Sequence, residues 1–220
     1  MNARYIHDRG QLPPYNHIFS EGEQGPLYYV LVAPFARKCD LPPGLQRADA
    51  NGRVISPCPP RVFQNCTQDF ARYWPVRTVR LLTAVFSVFT VLFIFLAGRE
   101  MTGKEQTGLL AAGMAAFLPE FTFRGMNVSN DALLALASAA CTYGILRLLR
   151  RGFSWPTVWL TSVAAALAIL AKLNGIVVAA VLGGVLLLSP APWRLRLKRL
   201  AVLGGALLIV APWLIRNQLL

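Results

Sequence analysis

From Leu81 onward the chain is a succession of apolar runs separated by short polar gaps: residues 81–97, 108–123, 132–149, 156–171, 175–188 and 200–215. A helix that crosses about 30 Å of hydrocarbon at 1.5 Å per residue needs about 20 mostly apolar residues, with its backbone hydrogen bonds satisfied internally. The runs approach that length, and flanking Arg and Lys extend their reach by snorkelling to the interface. They predict six spans. Hydrophobic residues make up 55% of the chain and charged residues 15%, with a mean hydropathy of +0.47. That leaves too little polar skin for a soluble domain and predicts an all-α polytopic membrane protein.

A net charge of +12 and an isoelectric point near 10.3 raise the question of nucleic acid, and the placement of the basic residues answers it. Arg147, Arg150 and Arg151 close one apolar run, while Arg194, Arg196, Lys198 and Arg199 fill the gap between two others. Membrane loops carry cations in this way, whereas nucleic-acid binding calls for a basic stripe with interleaved aromatics on a soluble module. No nucleic-acid partner is expected. Cys39, Cys58, Cys66 and Cys141 lack zinc-site spacing, and His7 and His17 have no partners at ligand spacing, so no metal site is predicted from them. The first three cysteines share one polar segment and are either bridged in an oxidising compartment or free.

Residues 1–76 are polar and proline-rich, with Leu12-Pro13-Pro14, Leu41-Pro42-Pro43 and Pro57 to Pro60 interrupting any long helix. This stretch is predicted to be an extramembrane loop region carrying a juxtamembrane helix near residues 26–35, with Tyr28 and Tyr29 at headgroup level. Residues 77–220 form the transmembrane domain. The gaps at 98–107, 150–156 and 189–199 fall on one side and hold most of the Arg and Lys, which assigns them to the cytoplasm. The N-terminal region is then extracytoplasmic, although Arg72, Arg77 and Arg80 stand beside the first run. A basic segment needs a leader to cross, and none precedes it, so a further membrane helix upstream of Met1 is expected.

Several short motifs recur in order along the chain: Gly10 to Pro13, Glu21 to Tyr29 (EGEQGPLYY), Phe117 to Phe121 (FLPEF), Val128 to Leu133 (VSNDAL), Ala171 to Gly175 (AKLNG) and Trp213 to Asn217 (WLIRN). Together they resemble the dolichyl-phosphate-mannose-protein mannosyltransferase-like enzymes, the C-type (GT-C) glycosyltransferases that use polyprenyl-phosphate sugars. Gln24 to Tyr29 departs from the family's glutamine-proline-proline-leucine-tyrosine-tyrosine at Gly25. Glu120 and Ser129 depart from its leucine-proline-glutamine-phenylalanine turn and its valine-asparagine-asparagine-aspartate start, and Glu23 stands where it often has histidine.

The resemblance implies a GT-C-like helix bundle in a bacterial plasma membrane, embedded in lipid. The implied reaction transfers a sugar from a polyprenyl-phosphate donor to an extracytoplasmic hydroxyl of a protein, lipid or glycan, as in protein glycosylation. It also implies a catalytic aspartate just after a first span, which would lie upstream of Met1, and further spans beyond Leu220. A non-catalytic or pseudoenzyme fragment is the first rival reading and a transporter the second; the latter would need charges or broken helices at the bilayer midplane.

Such chemistry needs a base for the acceptor and cationic groups for the departing phosphate. On the predicted topology Asp131, Lys172 and Arg216 come to the extracytoplasmic face from separate loops, with Arg124 in the loop of Asp131. Asp131 also suits a plain helix-start carboxylate; the resemblance makes it a second acid near the donor phosphate or a divalent metal. Lys172 stands at an apolar hairpin, where an ionisable group is costly, and its alternative is snorkelling to headgroups. Arg216 next to Trp213 suits either phosphate contact or interface anchoring. Glu21 and Glu23 are solvated loop residues unless the motif match gives them a part. No cofactor is called for by the residues themselves, and a divalent metal is compatible with the resemblance. Asn65-Cys66-Thr67 and Asn127-Val128-Ser129 fit glycosylation acceptor patterns, which matter only in a secretory host.

Overall fold

The computed structural model describes residues 25–35, 47–48, 54–55, 74–127 and 129–219. Helix α1 (Leu27–Val32) runs into a 3-10 turn, Ala33–Phe35. Strands β1 (Arg47–Ala48) and β2 (Val54–Ile55) pair antiparallel, Arg47 opposite Ile55, within the stretch expected to be loop. The rest is helical: α2 (Trp74–Thr102), α3 (Glu105–Ala116), α4 (Pro119–Met126), α5 (Asp131–Arg151), α6 (Trp155–Ala171), α7 (Ile176–Leu187), α8 (Trp193–Leu207) and α9 (Ala211–Leu219). A 3-10 turn, Leu173–Gly175, joins α6 to α7.

Helix ends follow local chemistry. The N–H of Gly103 bonds to Arg99 O at the end of α2, and that of Gly152 to Leu148 O at the end of α5. Both glycines have positive φ, 77° and 90°, the left-handed stop that a side chain resists. Pro119 and Pro156 stand in the first turns of α4 and α6, where a missing N–H costs nothing. Three runs differ most from the sequence reading, and the first, read as 81–97, is a longer helix, Trp74–Thr102. The run taken to Phe123 ends at Ala116, because Pro119 cannot continue a helix and starts α4 instead. The last run starts earlier, at Trp193, and breaks between Leu207 and Ala211, ahead of Pro212.

Helices α2 and α5 lie side by side and point the same way. At their C-terminal ends Arg151 grips both oxygens of Glu100, at 2.6 and 2.8 Å, and Arg150 donates to the Met101 carbonyl. At their N-terminal ends Val79 and Leu133 meet Tyr28, Val32 and Ala171 in one buried cluster. Helix α6 runs back beside α5, close enough that a Cβ at Gly144 would collide with Thr161. Residues near 100, 150 and 190–199 thereby gather at one end of the bundle, while α1, the start of α5 and the α6–α7 turn gather at the other.

The bundle core mixes small residues, among them Ala165, Ala166, Ala179 and Ala206, with aliphatics such as Leu148, Leu182 and Leu186, while further large aliphatics face outward; Leu110 is 66% exposed and Leu160 72%. Water would penalise that arrangement and lipid would not. Two helices, Arg77–Thr102 and Asp131–Arg151, are long and apolar enough to cross a membrane. Only 17% of the apolar window in the first is buried, which a soluble core helix would not tolerate. Hydroxyls in the apolar helix α2 bond back to their own backbone, Thr83 to Val79 O at 2.9 Å and Thr90 to Phe86 O at 2.8 Å.

Candidate functional site

The N-terminal end of α5 presents Asp131 at its first turn, where the helix dipole favours a carboxylate. Asn130, not Asp131, occupies the cap position, and the Asp131 N–H donates to Ser129 Oγ at 3.2 Å. The carboxylate itself faces two cations. Lys172 Nζ donates to Oδ1 at 2.6 Å, and Arg124 Nη1 donates to Oδ2 at 2.7 Å. Arg124 Nε also donates to Glu120 Oε1 at 2.6 Å, one turn back along α4. Glu120 first and Asp131 second hold the guanidinium above its ordinary pKa. Asp131 is thus both a first-turn carboxylate of α5 and one shared between two cations brought from α4 and from the α6–α7 turn.

Lys172 reaches this position because α6 ends just before it. Its backbone is extended, its N–H closes α6 on Ala168 O at 3.0 Å, and its carbonyl accepts from Gly175 N–H at 2.8 Å. The turn folds back so tightly that a Cβ on Gly175 would run into the Ala168 carbonyl and Ile169 N. Asn130 Nδ2 donates to Ala171 O at 3.2 Å, tying the start of α5 to the end of α6. That bond fixes the separation of Asp131 from Lys172.

Helix α1 braces the same end. Tyr28 is fully buried and its hydroxyl lies 3.1 Å from Thr83 Oγ1, so it does not belt the interface as its sequence context implied. Burial pushes its phenol up, against hydrogen bonds with Thr83 and the Ser129 backbone, so it stays neutral at physiological pH. A Cβ at Gly25 would strike the Leu170 and Ala171 carbonyls. The departure from the family motif at this position therefore has a physical reason, since no side chain fits there.

A cavity of about 240 Å³ opens beside the cluster between α2, α4 and α5, lined by Ser87, Glu120, Arg124 and Asp131 among others. An apolar groove of about 350 Å³ shares Ser87, Phe121 and Gly125 with it and continues along α2 and α4 past Val88, Val91 and Met126. The site thus joins a polar head to a greasy channel. Cationic donors at the head suit a phosphoryl oxygen, and the channel suits a hydrocarbon chain.

The structure brings Asp131, Lys172 and Arg124 together. Arg216, half-buried on α9, is not among the groups touching Asp131. Its neighbour Trp213 is 5% exposed within the bundle core. Glu21, Glu23, Cys39, Cys58 and Cys66 lie outside the described residues. Sequence reasoning missed Glu120, whose i,i+4 spacing from Arg124 after a proline start was the available signal, and Asn130, which had none. Among the described residues no three His, Cys, Asp or Glu side chains converge, and both carboxylates of the cluster already face cations; this donor set does not fit a divalent metal.

A sequence profile described as dolichyl-phosphate-mannose-protein mannosyltransferase matches residues 74–215, which takes in every residue of the Asp131 cluster. No curated protein and no solved structure matches the chain.

Proposed function

The chain belongs to the dolichyl-phosphate-mannose-protein mannosyltransferase family, and we propose that the Asp131 cluster is where it holds the phosphate of a polyprenyl-phosphate sugar. The family makes it a glycosyltransferase-like membrane protein. The observation that carries the finer reading is the pair of cations, Lys172 and Arg124, converging on one carboxylate at the mouth of an apolar groove. The groove takes the polyprenyl chain, and the cavity takes the phosphate and sugar.

In the reaction the acceptor hydroxyl oxygen attacks the anomeric carbon of the sugar from the face opposite the phosphate. The carbon–oxygen bond to phosphate breaks with its electron pair leaving on the phosphate, and the configuration inverts. The bound donor is a phosphodiester of charge −1, and the departing polyprenyl phosphate gains negative charge. Lys172 and Arg124 interact more strongly with that leaving group than with the donor, which is the differential stabilisation that lowers a barrier. Asp131, with each oxygen in an ion pair, is a poor base. It keeps the two cations aligned, and the acceptor's proton goes to a carboxylate outside the cluster. Six membrane crossings, with the cluster and the N-terminal region on the extracytoplasmic side, accommodate an extracytoplasmic acceptor.

Binding of a polyprenyl-phosphate sugar to the detergent-solubilised protein tests the assignment. Lys172→Met is expected to weaken affinity about 10- to 100-fold, since a hydrogen bond to a charged group contributes ~1.5–3 kcal/mol. Binding of the uncharged polyprenol should be unaffected. Equal donor affinity in the variant and the parent would refute the phosphate site.

A further inference from the structure

The opposite end of the bundle holds a second cation whose position the sugar-transfer reading does not use. Arg199, on α8, is only 8% exposed, yet among the described residues no carboxylate pairs with it. Its Nη1 donates to Ser189 Oγ at 3.0 Å, and its guanidinium carbon sits 4.5 Å above the Phe153 ring. Ser189 Oγ donates in turn to Leu186 O at 2.8 Å, which turns a hydroxyl lone pair toward the arginine. A hydroxyl and an aromatic face orient a guanidinium, but neither neutralises it, and burying a charge without a counter-ion is expensive.

Phe153 and Ser189, the two groups that hold Arg199, also line a cleft of about 370 Å³ whose other walls include Leu149, Val181, Val185 and Leu188. Those walls are apolar, and Leu149, Val181 and Leu188 are exposed. The surrounding charge is one-sided. In segments 98–107, 147–156 and 189–199 the carboxylates are Glu100 and Glu105, and these pair with Arg151 and Arg99. Arg194, Lys198 and Arg199 remain without an acidic partner among the described residues. A buried guanidinium, an apolar cleft of about 370 Å³ and basic residues without acidic partners among the described residues occur together at a bundle end that meets one membrane surface.

We propose that this cleft binds one anionic phospholipid of the adjoining leaflet, its acyl chain between α5 and α7 and its headgroup phosphate on Arg199. The lipid supplies a counter-charge that the described residues do not provide here and wedges the ends of α5, α7 and α8 together. Basic pockets between membrane helices select anionic over zwitterionic headgroups in this way. The site is separate from the Asp131 cluster and stands whether or not that cluster holds a sugar donor.

The test uses the whole chain in nanodiscs, reading retained lipid by native mass spectrometry and thermal stability in parallel. Phosphatidylcholine discs doped with phosphatidylglycerol are expected to yield protein with one retained phosphatidylglycerol and a raised Tm; inorganic phosphate and soluble glycerol phosphate should not raise it. Arg199→Gln should retain roughly tenfold less of the lipid, as loss of one charge-assisted contact implies. If Arg199→Gln fails to fold, Gly184→Leu serves independently. Gly184 lines the cleft and has open space at its Cβ, so leucine fills the slot without disturbing the arginine. It should abolish retention while the variant remains folded. Phosphatidylglycerol retention unchanged in Gly184→Leu, no preference over phosphatidylcholine, or an equal Tm gain from inorganic phosphate would each overturn the lipid site.

Discussion

The Asp131 carboxylate accepts one charged hydrogen bond on each oxygen, so it competes with any phosphate for the same two cations. Its side chain is 21% exposed and that of Lys172 31%, which places the pair between a weak surface bridge and a costly buried one. Asp131→Asn should therefore tighten donor binding about two- to fivefold, the equivalent of ~0.5–1 kcal/mol of released competition, while lowering Tm. A binding titration and a melt on the same preparation check both signs. Weaker donor binding would mean that alignment of the two cations by the carboxylate outweighs its competition with the phosphate. Asp131, Lys172 and Arg124 were legible in the sequence because an ionisable group beside an apolar run has to be explained. Asn130 was not, since it looks like an ordinary turn residue until α6 is placed, and Glu120 shows only through its i,i+4 spacing from Arg124. Tyr28 was misjudged for a related reason: an amphipathic ring suits an interface as well as a buried partner such as Thr83, and only the position of α1 decides between them.

At the scale of elements, the α6–α7 turn depends on one missing side chain. Gly175→Ala would push a methyl group into the Ala168 carbonyl and Ile169 N, and such overpacking costs about 1–3 kcal/mol. Its Tm should fall, and because the turn carries Lys172, donor affinity should fall with it. Gly113→Ala on α3, where a Cβ meets open space, is the control and should lower neither. A Gly175→Ala protein with parental stability would show that the turn is looser than its packing implies. In the sequence the polar interruption at Lys172 to Asn174 suits either a tight hairpin or one long interrupted segment, and the turn at Leu173–Gly175 decides between them. Helix ends are less legible. Hydropathy continues smoothly through Phe117 and Leu118, so the break before Pro119 is set by proline chemistry and not by polarity. The basic start of α8 likewise reads as a loop, because Arg194 to Arg199 interrupt an apolar pattern without interrupting the helix.

Across the whole molecule, the parallel course of α2 and α5 gives the bundle two unlike ends. One collects arginines from three gaps, joined by the Arg151–Glu100 pair and the Arg150 contact to Met101; the other collects α1, the Asp131 cluster and the lysine turn. Arginine-rich loops are retained in the cytoplasm, so the cluster should face away from it. Single cysteines at Lys104 and Asn174, both exposed and at opposite ends, report on this once Cys39, Cys58, Cys66 and Cys141 are replaced by serine. A membrane-impermeant maleimide should label Asn174→Cys in intact cells and Lys104→Cys only after the membrane is opened. Labelling of both from outside would break the two-ended bundle. The reverse pattern would keep the bundle but turn the lysine turn toward the cytosol, where a lipid-linked sugar on the outer leaflet cannot reach Lys172, and the assignment of that residue to the donor phosphate would fail with it.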